Sequence, residues 1–445
     1  MYIVERFAGF AESYRSQPIA PPVLHHARRA VIDWYAALLP GAGVPPATLL
    51  ERAIEEELDH GGARLALGRS ATVRAAALIN GAAAHTAEVD DIFRDGIYHP
   101  AAPTVAAAHA LAVSQRASGY HFLRAVIVGY EISTRIAAEM GRAHYKYWHN
   151  TGTIGCFGAA AAAAELLQLD RARFAHALAT VTTFAAGLQQ AFRMDSMSKP
   201  LHAGRAAEAG VTAALAAREG VIGSLDVIEG EAGFGRAMGG SPDWERALAT
   251  LGRDFNITRM TFKNHACCGH AFAAIDGALA LKAKMGITPG QIARVRIGGY
   301  RAMLEVAGIA DPTTPAEARF STRYLVATAL THGNVRLAAF EPARLGDAAT
   351  RDLMRRIELV LDPECDAAFP SQRAARVSFE NRDGVAQTLF QPTRKGDPDD
   401  PLTDPELEQK YLELASPVIG EARAKALLAR LWRIEREAAI PSAND

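Results

Sequence analysis

Alanine-rich segments with apolar residues at helical spacing recur through the first 250 residues of this chain. They include 21–39 (PPVLHHARRAVIDWYAALL), 71–89 (ATVRAAALINGAAAHTAEV), 101–116 (AAPTVAAAHALAVSQR), 120–140 (YHFLRAVIVGYEISTRIAAEM), 155–169 (GCFGAAAAAAELLQL) and 206–220 (AAEAGVTAALAAREG). Each ends at glycine, asparagine or proline signals. Alanine is the best helix former, and its short side chain lets helix axes approach closely. No alternation of strand and helix patterns interrupts the series. The fold expected here is mainly α: a large helical domain over residues 1–255.

The pattern changes after residue 255. ARVRIGGY, RIELVLD and RVSFENRDGVAQTLFQ alternate apolar and polar residues as half-buried strands do. Asp383-Gly384 suits the positive φ of a hairpin turn. FSTRYLVATALTHG and PARLGDAATRDLMRR between them read as helices. Residues 256–399 are therefore predicted to be a smaller α+β domain. A Pro- and Asp-rich stretch, 394–409, reads as a linker. Helices then return in PELEQKYLELAS and EARAKALLARLWRIERE. Docking them on the first bundle makes the α+β domain an insertion, with residues 400–445 joining 1–255 and a cleft between the two, a common kind of ligand site.

Charge narrows the function. With 48 Lys+Arg against 49 Asp+Glu the net charge is −1, so no basic field is available for nucleic acid, and anion selectivity must be local. The four cysteines form no CxxC and suit a reducing cytoplasm. The N-terminus lacks a signal-peptide pattern, and the most apolar run is too short to span a bilayer.

Three segments carry candidate chemistry. In FRMDSMSKPLHAGRAAEAG (192–210), Lys199, His202 and Arg205 recur every third residue on one face of a helix start. One reading is a solvated face; the other is a pocket for a small carboxylate-bearing anion with Lys199 as a catalytic group. His99 precedes Pro100 in a loop entering a helix, downstream of Glu88, Asp90 and Asp91, which can orient an imidazole. His149 follows Tyr145 and Lys146, further proton-transfer or carboxylate-binding groups, and precedes Gly152, Gly155 and Gly158. Those glycines read as close helix packing more readily than as an anion cradle. In HACCGH (265–270) the four donors are too tightly spaced to converge on one ion, so no metal is expected and His270 is read as an acid/base group.

Taken in order, AAAHTAEVDDIFRDGIYHPAAPTVAAAHALA, GYEISTRIAAEM, WHNTGTIGCFGAAAAAAELLQLD, SMSKPLHAGRAAEAGVTAALAA, CCGHAFAAID, FSTRYLVATALTHGNV and KGDPDDPLTDPELEQKY resemble the MmgE/PrpD family over nearly the whole chain. That family includes 2-methylcitrate dehydratase, cis-aconitate decarboxylase and iminodisuccinate epimerase. The resemblance implies a helical domain with a lid-like α+β domain, a homodimer, and no cofactor or metal. It matches the family's functional lysine to Lys199 and its histidines to His99, His149 and His270. Glu88 stands where the family usually has Asp, Ile92 where Thr or Ser follows, Asn150 where Pro is usual and Ala101 where Ser is common. The implied chemistry is proton removal next to a carboxylate, with fixed cations holding the developing charge. The function expected is dehydration of a small di- or tricarboxylate resembling 2-methylcitrate. Epimerisation of a substituted succinate, decarboxylation of an aconitate-like acid, and an inactive small-acid binding protein are the alternatives.

Overall fold

The computed structural model describes residues 1–192 and 196–444, so residues 193–195 of the 192–210 segment lie outside the description. The chain divides into two compact units, Met1–Thr261 with Thr403–Asp445, and Phe262–Leu402. Helix outweighs strand by 59% to 10%, which makes the fold mainly α with a small α+β part.

The first unit is built on helices α1 (Pro21–Ala42), α2 (Val73–Ala84), α3 (Ala101–Gln115), α4 (Gly119–Tyr145), α5 (Gly155–Leu166) and α6 (Ser198–Arg218). Every residue of α5 is buried, as expected of a helix that is apolar all round. Around it pack α3, α4 and α6, and α6 also lies against α2. The last contact is backbone to backbone. A Cβ at Gly204 of α6 would sit 2.2 Å from the Leu78 carbonyl oxygen, and one at Gly81 of α2 would sit 2.9 Å from the Gly204 Cα. Only glycine permits that approach, and it brings the start of α6 to the end of α2. Gly158 has the packing role expected from its spacing, since a Cβ there would lie 2.3 Å from Thr104 Oγ1.

Two features of this unit were not expected from the sequence. A short antiparallel pair, β1 (Leu58–Arg64) and β2 (Ser70–Ala71), follows the first helices. Its LDHGGAR strand is exposed along its middle and carries no alternating pattern. The stretch read as a linker also ends early. The helix Asp404–Ile419 begins there, with Thr403 and Glu406 forming a capping box. That helix packs on α1, and its Lys410 reaches Asp33 at 2.5 Å and the Val89 carbonyl at 2.6 Å, all of it buried.

In the second unit β3 (Ile292–Gly299), β4 (Ile357–Leu361), β5 (Ala375–Asn381) and β6 (Ala386–Gln391) form one sheet in the order β4-β3-β5-β6. The β3/β4 pair is parallel and the others are antiparallel. Gly384, at φ 80°, turns the expected β5–β6 hairpin. Helix α7 (Phe272–Met285) covers β5 and β6, and α8 (Thr322–His332) packs on α7. Arg394, fully buried, donates to Asp397 and to the Gly269 carbonyl. The first residues of the supposed linker are thus part of this unit's core. No helix among the described residues is long and apolar enough to cross a membrane.

Candidate active site

Lys199 is the second residue of α6, and its side chain is largely out of solvent. The ammonium forms an ion pair with Glu88, which sits at a left-handed φ of 59° in the loop after α2. The Phe192 ring lies 5.3 Å from the same ammonium. One turn along α6, His202 Nδ1 meets His149 Nδ1 at 3.0 Å, so one ring donates and the other accepts. His149 caps the short helix Asn150–Thr153, and its backbone N–H donates to the Gly187 carbonyl. Burial, followed by the neighbouring cations and imidazoles, holds His149 well below the usual histidine range and His202 at about 4. Both are neutral at pH 7.

A second layer of imidazoles lies against this pair. His85, at the C-cap of α2, stacks on His149 with ring centres 5.4 Å apart and meets His99 edge-on at 4.9 Å. Its Nδ1 is 2.6 Å from Asp90 Oδ2, and the same oxygen is 3.4 Å from His99 Nδ1. His85 and Asp90 are completely buried, whereas 16% of the His99 side chain is exposed. The first unit therefore brings His99, His149, Lys199, His202 and Glu88 into one group.

The other candidates are placed differently. Asp91 is fully buried, accepts from the Ala101 backbone N–H at 3.0 Å and receives the Tyr130 hydroxyl at 2.8 Å. Burial, then the Asp33 charge, pushes its carboxyl well above the usual range. It anchors the entry to α3. Arg205 is more than half exposed and pairs with Glu208. Lys146 is exposed and lies over the Tyr147 ring. Tyr145, beside it at the end of α4, is half-buried. His270 belongs to the second unit, where its Nδ1 is 2.9 Å from the Tyr300 hydroxyl and Tyr300 stacks on Phe369. Of the HACCGH donors, His265 bonds Asp276, and Cys267 and Cys268 are buried and not joined in a disulfide.

One departure from the family pattern acquires a structural role. The Asn150 side chain donates to the Gly96 carbonyl at 2.6 Å, tying the His99 loop to the His149 turn as a proline side chain cannot. Ile92 pairs through its backbone with Thr261.

His85 is the group the sequence reading overlooked. It stands five residues before Asp90, but nothing in AAAHTAEVDD distinguishes an inward imidazole from a capping one. His85, Asp90 and His99 also form the one close grouping of metal-type donors among the described residues, their donor atoms all within 4.8 Å. The 2.6 Å separation is a hydrogen-bond length, and an ammonium stands in the same cluster; both favour a proton-bonded triad. An ammonium beside neutral imidazoles and buried carboxylates is equipped to hold a carboxylate and to move protons at an adjacent carbon.

Residues 5–247 match the MmgE/PrpD N-terminal domain, and residues 265–434 match the MmgE/PrpD C-terminal domain. The chain is 27% identical over 467 residues to the cis-aconitate decarboxylase-like protein oryM of Aspergillus oryzae, covering 98% of this chain and 95% of that one. It is 27% identical over 371 residues to cis-aconitate decarboxylase of Homo sapiens, covering 81% and 76% of the two chains. It is 24% identical over 372 residues to cis-aconitate decarboxylase of Mus musculus, covering 81% and 75%.

Proposed function

The chain belongs to the MmgE/PrpD family, and from that premise we propose that it is a lyase acting on a small di- or tricarboxylate, with decarboxylation of an aconitate-like acid as its reaction. The observation that carries this reading is the Lys199 ammonium, held at the edge of a group of imidazoles of which His149 and His202 are neutral. When a carbon–carbon bond to a carboxylate breaks, CO₂ leaves and the electron pair stays on carbon, delocalised towards a neighbouring carboxylate. Lys199 stabilises that charge, and neutral N–H donors orient the carboxylates without adding a competing positive charge. An imidazole then supplies the proton that completes the product. The names of the curated relatives weigh towards this reaction.

Dehydration of a 2-methylcitrate-like hydroxy acid is the second reading, because the same groups serve removal of a proton next to a carboxylate. A homodimer in a reducing cytoplasm completes the proposal. It is supported by the family resemblance and by four buried cysteines that form no disulfide, and light scattering checks the dimer.

The deciding experiment is proton NMR in heavy water with cis-aconitate, citrate and 2-methylcitrate. Loss of CO₂ with one solvent deuteron in the product supports the decarboxylase. Loss of water from a hydroxy acid selects the dehydratase. Deuterium exchange in an amino- or iminosuccinate with neither loss selects an epimerase, and thermal stabilisation by these acids without turnover selects a binding protein.

A further inference from the structure

Several imidazoles crowd this site, and the reaction needs one of them to exchange a proton with the substrate carbon. The hydrogen-bond geometry separates them. His149 and His202 use their Nδ1 atoms on each other. His85 is entirely buried, and its Nε2 has no hydrogen-bond partner among the described residues. His99 combines partial exposure with a carboxylate behind it.

An ionised carboxylate only accepts, so the 2.6 Å contact requires a proton on His85 Nδ1. The same Asp90 oxygen faces His99 Nδ1. A lone pair on that nitrogen would oppose the oxygen, whereas an N–H would be drawn to it. The ring has little freedom to turn away. The His99 backbone N–H donates to Thr151 Oγ1, Pro100 leads into α3, and Asp91 holds the Ala101 N–H two residues on. His85 stands edge-on against one side of the ring. Among the described residues, the titratable groups named around His99 are Asp90 and His85 from the end of α2 and its loop, His149 from the turn after α4, and Lys199 with His202 from α6 beyond, Lys199 being paired to Glu88.

We propose that Asp90 and His85 are positioning residues which hold His99 in its Nδ1–H form and so present His99 Nε2 as the atom that exchanges a proton with the substrate carbon. In decarboxylation the departing CO₂ leaves its bonding pair on carbon, and the Nε2 proton of the imidazolium closes the new C–H bond. In dehydration the flow reverses at the first step: the proton moves to Nε2, the pair it leaves forms the new C=C bond as the neighbouring C–O bond breaks, and the hydroxyl departs as water with a proton from a second acid. Asp90 balances the imidazolium in both cases without itself taking the proton. This rests on the lyase reading above, but its test does not.

The test uses the full-length protein with ¹⁵N-labelled histidine and long-range ¹H–¹⁵N correlation spectra, the His99 signals being assigned by their loss in His99→Gln. At a pH where His99 is neutral, the wild type is expected to show protonated Nδ1 and bare Nε2. Asp90→Asn, which keeps the volume, is expected to lose that preference. Asp91→Asn, equally buried but bonded to Ala101 and Tyr130, is expected to keep it. With whichever acid is turned over, Asp90→Asn should lower kcat by about 10²-fold or more, with a smaller effect on KM. A wild-type His99 protonated at Nε2, or an Asp90→Asn spectrum unchanged at His99, overturns the proposal whether or not any substrate is found. So does stoichiometric binding of Zn²⁺ or Fe²⁺ that shifts both His85 and His99 and disappears in Asp90→Asn, because the triad would then be a cation site. If none of the acids reacts while the tautomer results hold, the lyase reading fails and the positioning of His99 stands.

Discussion

Replacing Lys199 by methionine tests whether the Lys199–Glu88 pair is a stability element as well as a chemical one. The two side chains are only 11% and 9% exposed. Methionine fills the aliphatic volume but takes away the ammonium that Glu88 is paired with. Removing one partner of a buried pair costs about 3–5 kcal/mol, and a pair with about a tenth of each side chain in solvent belongs at the lower end, about 3 kcal/mol. Lys199→Met combined with Glu88→Gln removes both charges, and isosteric neutral replacement of a buried pair is close to neutral. The double variant should therefore return to within about 1 kcal/mol of the wild type, a recovery of about 2 kcal/mol relative to Lys199→Met alone. Turnover should be lost in both, since neither retains the ammonium. All four tryptophans, Trp34, Trp148, Trp244 and Trp432, lie in the first unit, so their fluorescence follows unfolding of the unit that holds the pair. Urea titrations of wild type, both single variants and the double variant close the cycle. A Lys199→Met protein as stable as the wild type, or a double variant no more stable than Lys199→Met, would refute a pair held out of water. Undiminished turnover in either would remove Lys199 from the chemistry.

Two further predictions follow from packing and burial. His109 is buried against Trp34 and Tyr35, and burial alone lowers it to about 4. The unfolded chain then takes up a proton that the native state refuses, so stability is complete above the unfolded value of 6.5 and declines as pH falls towards 4. His109→Leu should shrink the stability difference between pH 7 and pH 5 by about 2 kcal/mol, and an unchanged difference by the same fluorescence assay argues against a neutral His109. Gly204→Ala places a Cβ 2.2 Å from the Leu78 carbonyl oxygen, which should cost about 1–3 kcal/mol and spread α6 from α2. A neutral effect on unfolding would mean the helices are not in backbone contact there.

Much of the helical framework is legible because periodicity and alanine content act locally. The 155–169 segment reads as a helix from its own residues, and the complete burial of Gly155–Leu166 follows from its nearly all-apolar surface. The β5–β6 hairpin is legible for the same reason, since alternation and Asp383-Gly384 are neighbours in sequence. The β1–β2 pair is not, because LDHGGAR has neither signal. Within the site, Lys199, His202, His99 and His149 stand out as unusual residues in apolar helical surroundings, and the first unit gathers them. Asp91, Arg205 and Lys146 show the limit: a polar residue near a candidate can as readily cap a helix entry or pair with a surface neighbour.

Sequence alone determined most of the helices, the β5–β6 hairpin and the kinds of group the chemistry could draw on, because those depend on side-chain type and short spacing. Tertiary structure alone decided that His85 belongs with His99, that Asp90 stands between them, and that Glu88 meets Lys199 across 111 positions of chain. Those pairings come from helices packed at glycine contacts, and the direction of a buried imidazole is set by neighbours remote in the sequence rather than by the residues on either side of it.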